Sequence, residues 1–183
     1  GPVMALTRNA CAVHEMIGIY ETFSPYRSTA KCHGPGIRAH LTSRKWTYGF
    51  AVVKQSDGKQ QCSFQFFDED GTAVQKIHTR PTTNMLAWNR IEQQLALKTD
   101  PDEIRVRLRS RNQAKPTQVI STKDLETLFD GCESNVEYRR VSGAASEQML
   151  NAVAAAGLPL VCKVSSPGCL QMYEGPVKKI VPM

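Results

Sequence analysis

The sequence predicts an α+β fold in which an antiparallel β-sheet, a meander of hairpins, is packed by helices. Three observations predict it. Apolar and polar residues alternate along several short runs, turn-forming clusters separate those runs, and helical spacing appears only in isolated stretches between them. The run CSFQFFDEDGTAVQKIHTRPTTNMLAWNRIEQQL, starting at Cys62, shows all three in succession. Phe64 and Phe66 alternate with Ser63 and Gln65, so one strand face is apolar and the other polar. The cluster from Asp68 to Gly71 turns the chain, with Gly71 free to take the positive φ of a tight loop. Thr82 and Thr83 offer N-cap oxygens, and Met85, Trp88, Ile91 and Leu95 recur at helical spacing, an apolar stripe whose natural resting place is the sheet.

Taken in order, VMALT and AVHEMIGIY read as two strands pinched around Arg8-Asn9-Ala10-Cys11, where Asn9 suits a turn. The stretch from Ser24 to Gly36, rich in turn formers and basic residues, reads as an exposed loop. Residues 37–41 and 46–53 resume alternation, and Asp57-Gly58 joins the latter to the Cys62 strand as a hairpin. After a helix over 84–97, Asp100-Pro101 breaks the chain. Ile104, Val106 and Leu108 then alternate with Arg105, Arg107 and Arg109, followed by Arg111, which gives a strand with a guanidinium row on one face. Ser121 and Asp124 resemble a capping box for a short helix carrying Leu125, Leu128 and Phe129. A second helix runs near 144–156, with Met149, Leu150 and Val153 on one face and Gly157 as its C-terminal cap. Two strands, LVCKV and CLQMYEGPVKKIV, follow. The expected organisation is therefore a sheet-and-helix unit over 1–100, a strand, connector and short helix over 101–140, and a helix with a terminal hairpin over 141–183, all in one globular domain. VMALTRNACAVHEMIGIY and LVCKVSSPGCLQMYEGPV also share a strand, a tight polar turn ending in cysteine and a second strand, so they read as equivalent openings of two copies of one unit, the second starting near Leu158.

The 183 residues are 41% hydrophobic and 22% charged, ordinary values for a chain with a real core. No apolar run approaches the roughly 20 residues that a membrane-spanning helix needs, and the first residues lack the basic start and apolar run of a signal peptide. The expectation is a soluble, cytoplasmic protein without membrane insertion. Six cysteines lie scattered with no Cys-x-x-Cys, which fits reduced thiols better than a zinc ribbon or a redox motif. The formal net charge of +6 invites an anionic partner: nucleic acid, an acidic membrane surface or a small dianionic ligand. Paired carboxylates, a nucleophile with its base and a phosphate-cradling glycine loop are all missing at usable spacing, so nothing argues for hydrolysis or phosphoryl transfer.

The run SFQFFDEDGTAVQKI with TNMLAWNRIEQQL after it, preceded by ALTRNACAVHEMIGIY, resembles the bacterial haemin-degrading and haem-transport factor family of the HemS/ChuS type. GLPLVCKVSSPGCLQMYEGPVKKIVPM resembles the strand pair that opens the second half of those proteins, so the chain reads as one half plus the start of a second. The resemblance implies an antiparallel α+β unit that binds haem, as ligand or substrate, in the cytoplasm. It implies haem trafficking to a haem oxygenase or from an importer, or oxidative haem degradation by a haem oxygenase-like activity, in the service of iron acquisition.

Haem requires an apolar slot, cations for two propionates and an axial ligand. The family's axial histidine, in an Asp-x-His context, falls on Asp124-Leu125-Glu126, which puts Glu126 where the imidazole is expected. A family arginine that faces the propionates falls on Arg38 or His40, the family glutamine is kept as Gln171, and a common family histidine is Tyr173 here. Arg38, His40, Gln171 and Tyr173 are thus the candidate haem-binding residues, with His40 and Tyr173 the candidate iron ligands and Met172 a further one. Of the other histidines, His14 reads as a partly buried strand residue, His33 as an exposed loop residue, and His78 as one facing solvent or a helix.

Two rival readings stand beside this one. One is a basic nucleic-acid-binding module built on Arg105 to Arg111, against which stands the commoner solvated sheet face. The other is a non-binding structural half that forms a homodimer through strand exchange.

Overall fold

A computed structural model describes residues 1–56, 58–97, 146–177 and 179–181. These residues divide into two compact units, one drawn from 1–97 and 160–175, the other from 146–159 and the residues after 175.

The first unit is a pair of five-stranded antiparallel sheets. Its strands are β1 (Val3–Arg8), β2 (Val13–Gly18), β3 (Thr22–Tyr26), β4 (Thr29–Gly34), β5 (Ile37–Thr42), β6 (Tyr48–Ser56), β7 (Lys59–Phe67), β8 (Ala73–Thr79), β9 (Pro159–Ser166) and β10 (Cys169–Pro176). One sheet runs β2-β1-β8-β7-β6 and the other β3-β4-β5-β10-β9. The antiparallel α+β class is as predicted, but the single meander is not. The chain leaves the first sheet after β2, builds β3 to β5 in the second, returns for β6 to β8, and comes back to the second with β9 and β10.

Local chemistry explains most of these elements. The Asn9 side chain accepts hydrogen bonds from the amides of Cys11 and Ala12, both at 2.9 Å, and so closes the β1–β2 turn. Asp68 does the same for Asp70 (3.0 Å) and Thr72 (2.8 Å), with Gly71 at φ 75°. Gly58 in the β6–β7 turn has φ 70°. At the crossing from the first sheet to the second, the Pro35 carbonyl accepts from Ile19 N at 3.0 Å, and the backbone comes so close that a Cβ on Gly18 would collide with that carbonyl.

Period-two alternation then decides the core. Ala5 and Met16 of the first sheet pack with Ile37 of the second, and Val74 of the first packs with Cys32, Ala39 and Cys169 of the second. The two inner faces therefore meet in one sandwich core. Trp46 and Trp88 finish it, one tilted against Phe66 at a centroid distance of 4.5 Å, the other stacked on Phe64 at 4.1 Å.

Three expectations need correction. The stretch from Ser24 to Gly36 is not a loop but most of the β3–β4 hairpin, because Ala30 and Cys32 are buried between exposed Lys31 and His33. Its turn formers are confined to the connection, where Arg27 takes φ 53°. Helix α1 (Met85–Leu95) is capped by Asn84, whose side chain accepts from Ala87 N at 3.0 Å. Thr83, one of the two expected caps, instead accepts from Arg80 N and donates to the Pro2 carbonyl. Finally, the apolar stripe of α1 is largely uncovered: Trp88 is buried at 5% exposure, whereas Met85, Ile91 and Leu95 are exposed.

In the second unit, helix α2 (Ser146–Ala155) ends as expected, with Gly157 at φ 64° and the amides of Ala156, Gly157 and Leu158 returning to carbonyls of its last turn. The expected strand at Ile104 to Leu108, the arginines 105 to 111 and the short helix with Asp124 and Glu126 lie outside the described residues.

Candidate functional site

Strands β5 and β10 lie side by side, and their register decides which candidate residues meet. Leu170 faces His40, Gln171 faces Ala39, and Met172 faces Arg38. On the other side of β5, Lys31 faces His40 and His33 faces Arg38. Residues opposite each other share a sheet face, and neighbours along a strand alternate. The outer face therefore carries two consecutive rows, Lys31–His40–Leu170 and His33–Arg38–Met172. Gln171 and Tyr173 belong to the inner face with Ala39. The four residues grouped by sequence are thus brought onto adjacent strands but divided between opposite sides of the sheet.

On the outer face, Lys31, His33 and Arg38 are exposed, and His40, Leu170 and Met172 are half-buried. Arg38 Nη1 contacts Glu174 Oε2 at 3.1 Å. The face thus combines apolar side chains on β10 with cationic and imidazole groups on β4 and β5.

On the inner face, Gln171 is fully buried and its amide is saturated by protein. Its Nε2 donates to the Ala5 carbonyl (3.3 Å) and the His14 carbonyl (2.9 Å), while its Oε1 accepts from Thr7 Oγ1 (3.1 Å) and Gln75 Nε2 (3.3 Å). Gln171, grouped by sequence with the candidate haem contacts, ties the two sheets together through these bonds. Tyr173 packs on Ala5, Met16 and Ile37, and its ring meets His14 edge-on at 6.3 Å. A Cβ on Gly175 would stand 3.0 Å from the Tyr173 hydroxyl oxygen.

The surrounding electrostatics are those of a closed core. Burial, with smaller contributions from Cys169 and Cys32, raises the Tyr20 phenol far above its ordinary range. Burial also pushes the Cys169 thiol up to about 11, opposed by its hydrogen bond with Thr7. Burial raises Cys32 and lowers His14. Neutral thiols of this kind are packing groups, not nucleophiles. Among the described residues, no three His, Cys, Asp or Glu side chains gather to hold a bare metal ion. A porphyrin iron, already held by four ring nitrogens, needs only one or two ligands from protein.

Sequence reasoning missed Lys31, His33 and Leu170 as neighbours of the site. The signal was present in TAKCHG, where small apolar and basic residues alternate. It was outweighed by the turn formers on either side.

The outer face and the sandwich define a class: an antiparallel α+β unit presenting a basic, partly apolar sheet surface. Residues 1–95 match the haemin-degrading HemS/ChuX domain, and the chain belongs to that family. It is similar to the hemin transport proteins HemS of Yersinia enterocolitica and HmuS of Yersinia pestis, each 24% identical over 205 residues, covering 100% of this chain and 59% of the relative. Among solved structures it is similar to the heme degrading enzyme ChuS of Escherichia coli O157:H7 (TM-score 0.75, 23% identity) and to holo-PhuS, a heme-binding protein of Pseudomonas aeruginosa (TM-score 0.76, 23% identity). In both cases the match covers 100% of this chain and 60% of the other. The chain thus spans about 60% of the length of these relatives.

Proposed function

We propose that this chain binds haem on the outer face of β4, β5 and β10, in the service of haem trafficking or oxidative haem degradation. The observation that carries the reading is the pair of consecutive rows in which Arg38 and His40 stand beside Met172 and Leu170. Leu170 and Met172 give the macrocycle an apolar floor, Arg38 and Lys31 attract its propionates, and His40 offers an imidazole toward the iron. At the usual strand spacing of about 4.8 Å, β4 to β10 spans about 10 Å, a breadth suited to a planar ring. Gln171 and Tyr173 act from behind, holding the sheet that presents these groups. If haem is broken down, the bound haem supplies the oxygen chemistry, and the protein supplies position and charge.

Membership of the HemS/ChuX family supports the reading, as do relatives described as transporting, binding or degrading haem. Among the described residues no helix is long and apolar enough to cross a membrane. In this proposal the protein works in the cytoplasm, receiving haem from an importer or passing it to a haem oxygenase. A homodimer would form by strand exchange at β3, an edge strand whose every residue is exposed. The nucleic-acid alternative rests on Arg105 to Arg111, outside the described residues, and no described feature favours it.

Titration with haemin tests the proposal. A saturable Soret shift at micromolar protein is expected, lost or moved in His40→Ala and weakened about tenfold or more in Arg38→Ala, since hydrogen bonds to charged groups contribute about 1.5–3 kcal/mol. Tyr173→Phe should leave the band in place. A band that ignores His40→Ala but moves in Tyr173→Phe would put the iron on the other side of the sheet, and the absence of any saturable shift would overturn haem binding altogether.

A further inference from the structure

We propose that Glu174 is a built-in stand-in for a ligand carboxylate: it holds the Arg38 guanidinium in place on the outer face and is displaced when an incoming carboxylate takes over that contact. The inference rests on the haem-binding reading and deepens it by assigning a residue that competes with the ligand's carboxylate for Arg38.

The geometry points this way on four counts. Arg38 and Glu174 meet through an Nη1–Oε2 contact of 3.1 Å, the geometry that a guanidinium offers to any carboxylate. Both side chains face water, at 47% and 65% exposure, so exchange of one carboxylate for another breaks no core packing. Glu174 lies two residues beyond the last rung between β10 and β5, Met172↔Arg38, and it reaches back across that rung to its partner. Gly175 follows at φ 142°, a value that L side chains rarely adopt, one residue before β10 ends at Pro176, while Tyr173 on the other flank is anchored in the core. The carboxylate thus sits near the end of its strand, beyond the paired rungs, where its exposed side chain can swing off the guanidinium.

The consequence is a preference rather than a simple attraction. In a row with His33 and Met172, an unpaired guanidinium would draw any anion. Paired, Arg38 yields only to a group that offers as good a contact plus something more, such as a carboxylate tethered to an apolar ring that also covers Leu170 and Met172. The ligand class is therefore a flat apolar molecule with pendant carboxylates, and Glu174 lowers its affinity while excluding simple anions.

The test is a double-mutant cycle read with two probes, haemin and its dimethyl ester, in which the propionate charges are masked. For an exposed ion pair, Glu174→Gln is expected to tighten haemin about two- to fivefold at low salt, with the effect fading as salt rises. Affinity for the dimethyl ester should stay unchanged, and in the Arg38→Gln background Glu174→Gln should no longer matter. Equal tightening of both porphyrins, or an effect that survives Arg38→Gln, would reduce Glu174 to a generic surface charge and overturn the inference while leaving haem binding intact. No saturable Soret shift with the wild-type protein would overturn the haem reading and this inference together.

Discussion

Gln171 shows how one side chain can hold two sheets. It stands on β10 but bonds to Ala5 and Thr7 of β1, His14 of β2 and Gln75 of β8, so both ends of its amide are spent on the opposite sheet. Replacing it with alanine would leave those buried groups without partners, at about 1–3 kcal/mol for each group left unsatisfied. Gln171→Ala is therefore expected to destabilise the fold by about 3 kcal/mol or more, measured by urea unfolding, and a loss below about 1 kcal/mol would show that the network is dispensable. Sequence gave no warning of this role, since a glutamine between two apolar residues of a strand fits a ligand contact as well as a core tie. The parity of Arg38 and His40 was readable, because residues two apart on a strand share a face. What was hidden was the register of β10 on β5, which no local pattern encodes.

At the scale of elements, the legible pieces were those built from short-range chemistry. Alternation in β7, the Asp68 turn and the spacing of α1 all appear in a single reading of the Cys62–Leu95 run, and all three exist. The β3–β4 hairpin escaped because its inward residues, Ala30 and Cys32, are small and carry little strand preference; burial against the other sheet made them a strand. Helix α1 was legible as a helix but not as a partly uncovered one, since periodicity specifies a stripe without saying how much of it finds a partner. Its start rests on Asn84, and Asn84→Ala should cost about 1 kcal/mol by thermal or urea unfolding, as loss of a side-chain cap ordinarily does. Thr82→Ala, at the neighbouring candidate, should be nearly silent in the same measurement.

At the scale of the whole molecule, two histidines tie stability to acidity. Nδ1 of His14 and Nδ1 of His78 are buried without a hydrogen-bond partner among the described residues. Burial lowers both below the ordinary value of 6.5; for His78, Lys76 lowers it further and Glu15 opposes. The folded state therefore keeps them neutral while the unfolded chain takes up protons as pH falls through that value, so their contribution to stability is present at pH 7 and lost on acidification. The urea midpoint should fall between pH 7 and 5.5, with a slope of at most about 1.4 kcal/mol per pH unit for each histidine. The fall should flatten in a His14→Gln, His78→Gln double variant; a midpoint that rises on acidification would contradict the assignment. The same molecule has a consequence in time as well as in acid. The rungs joining β5 to β10 link residues 128–134 positions apart, from Cys169↔Leu41 to Met172↔Arg38. At a synthesis rate of about 5–20 residues per second, β5 leaves the ribosome roughly 6–27 s before the strand that covers its open side. Through that interval the nascent hairpins carry a bare edge, and the surface that presents Arg38 and His40 is completed only as translation reaches β10.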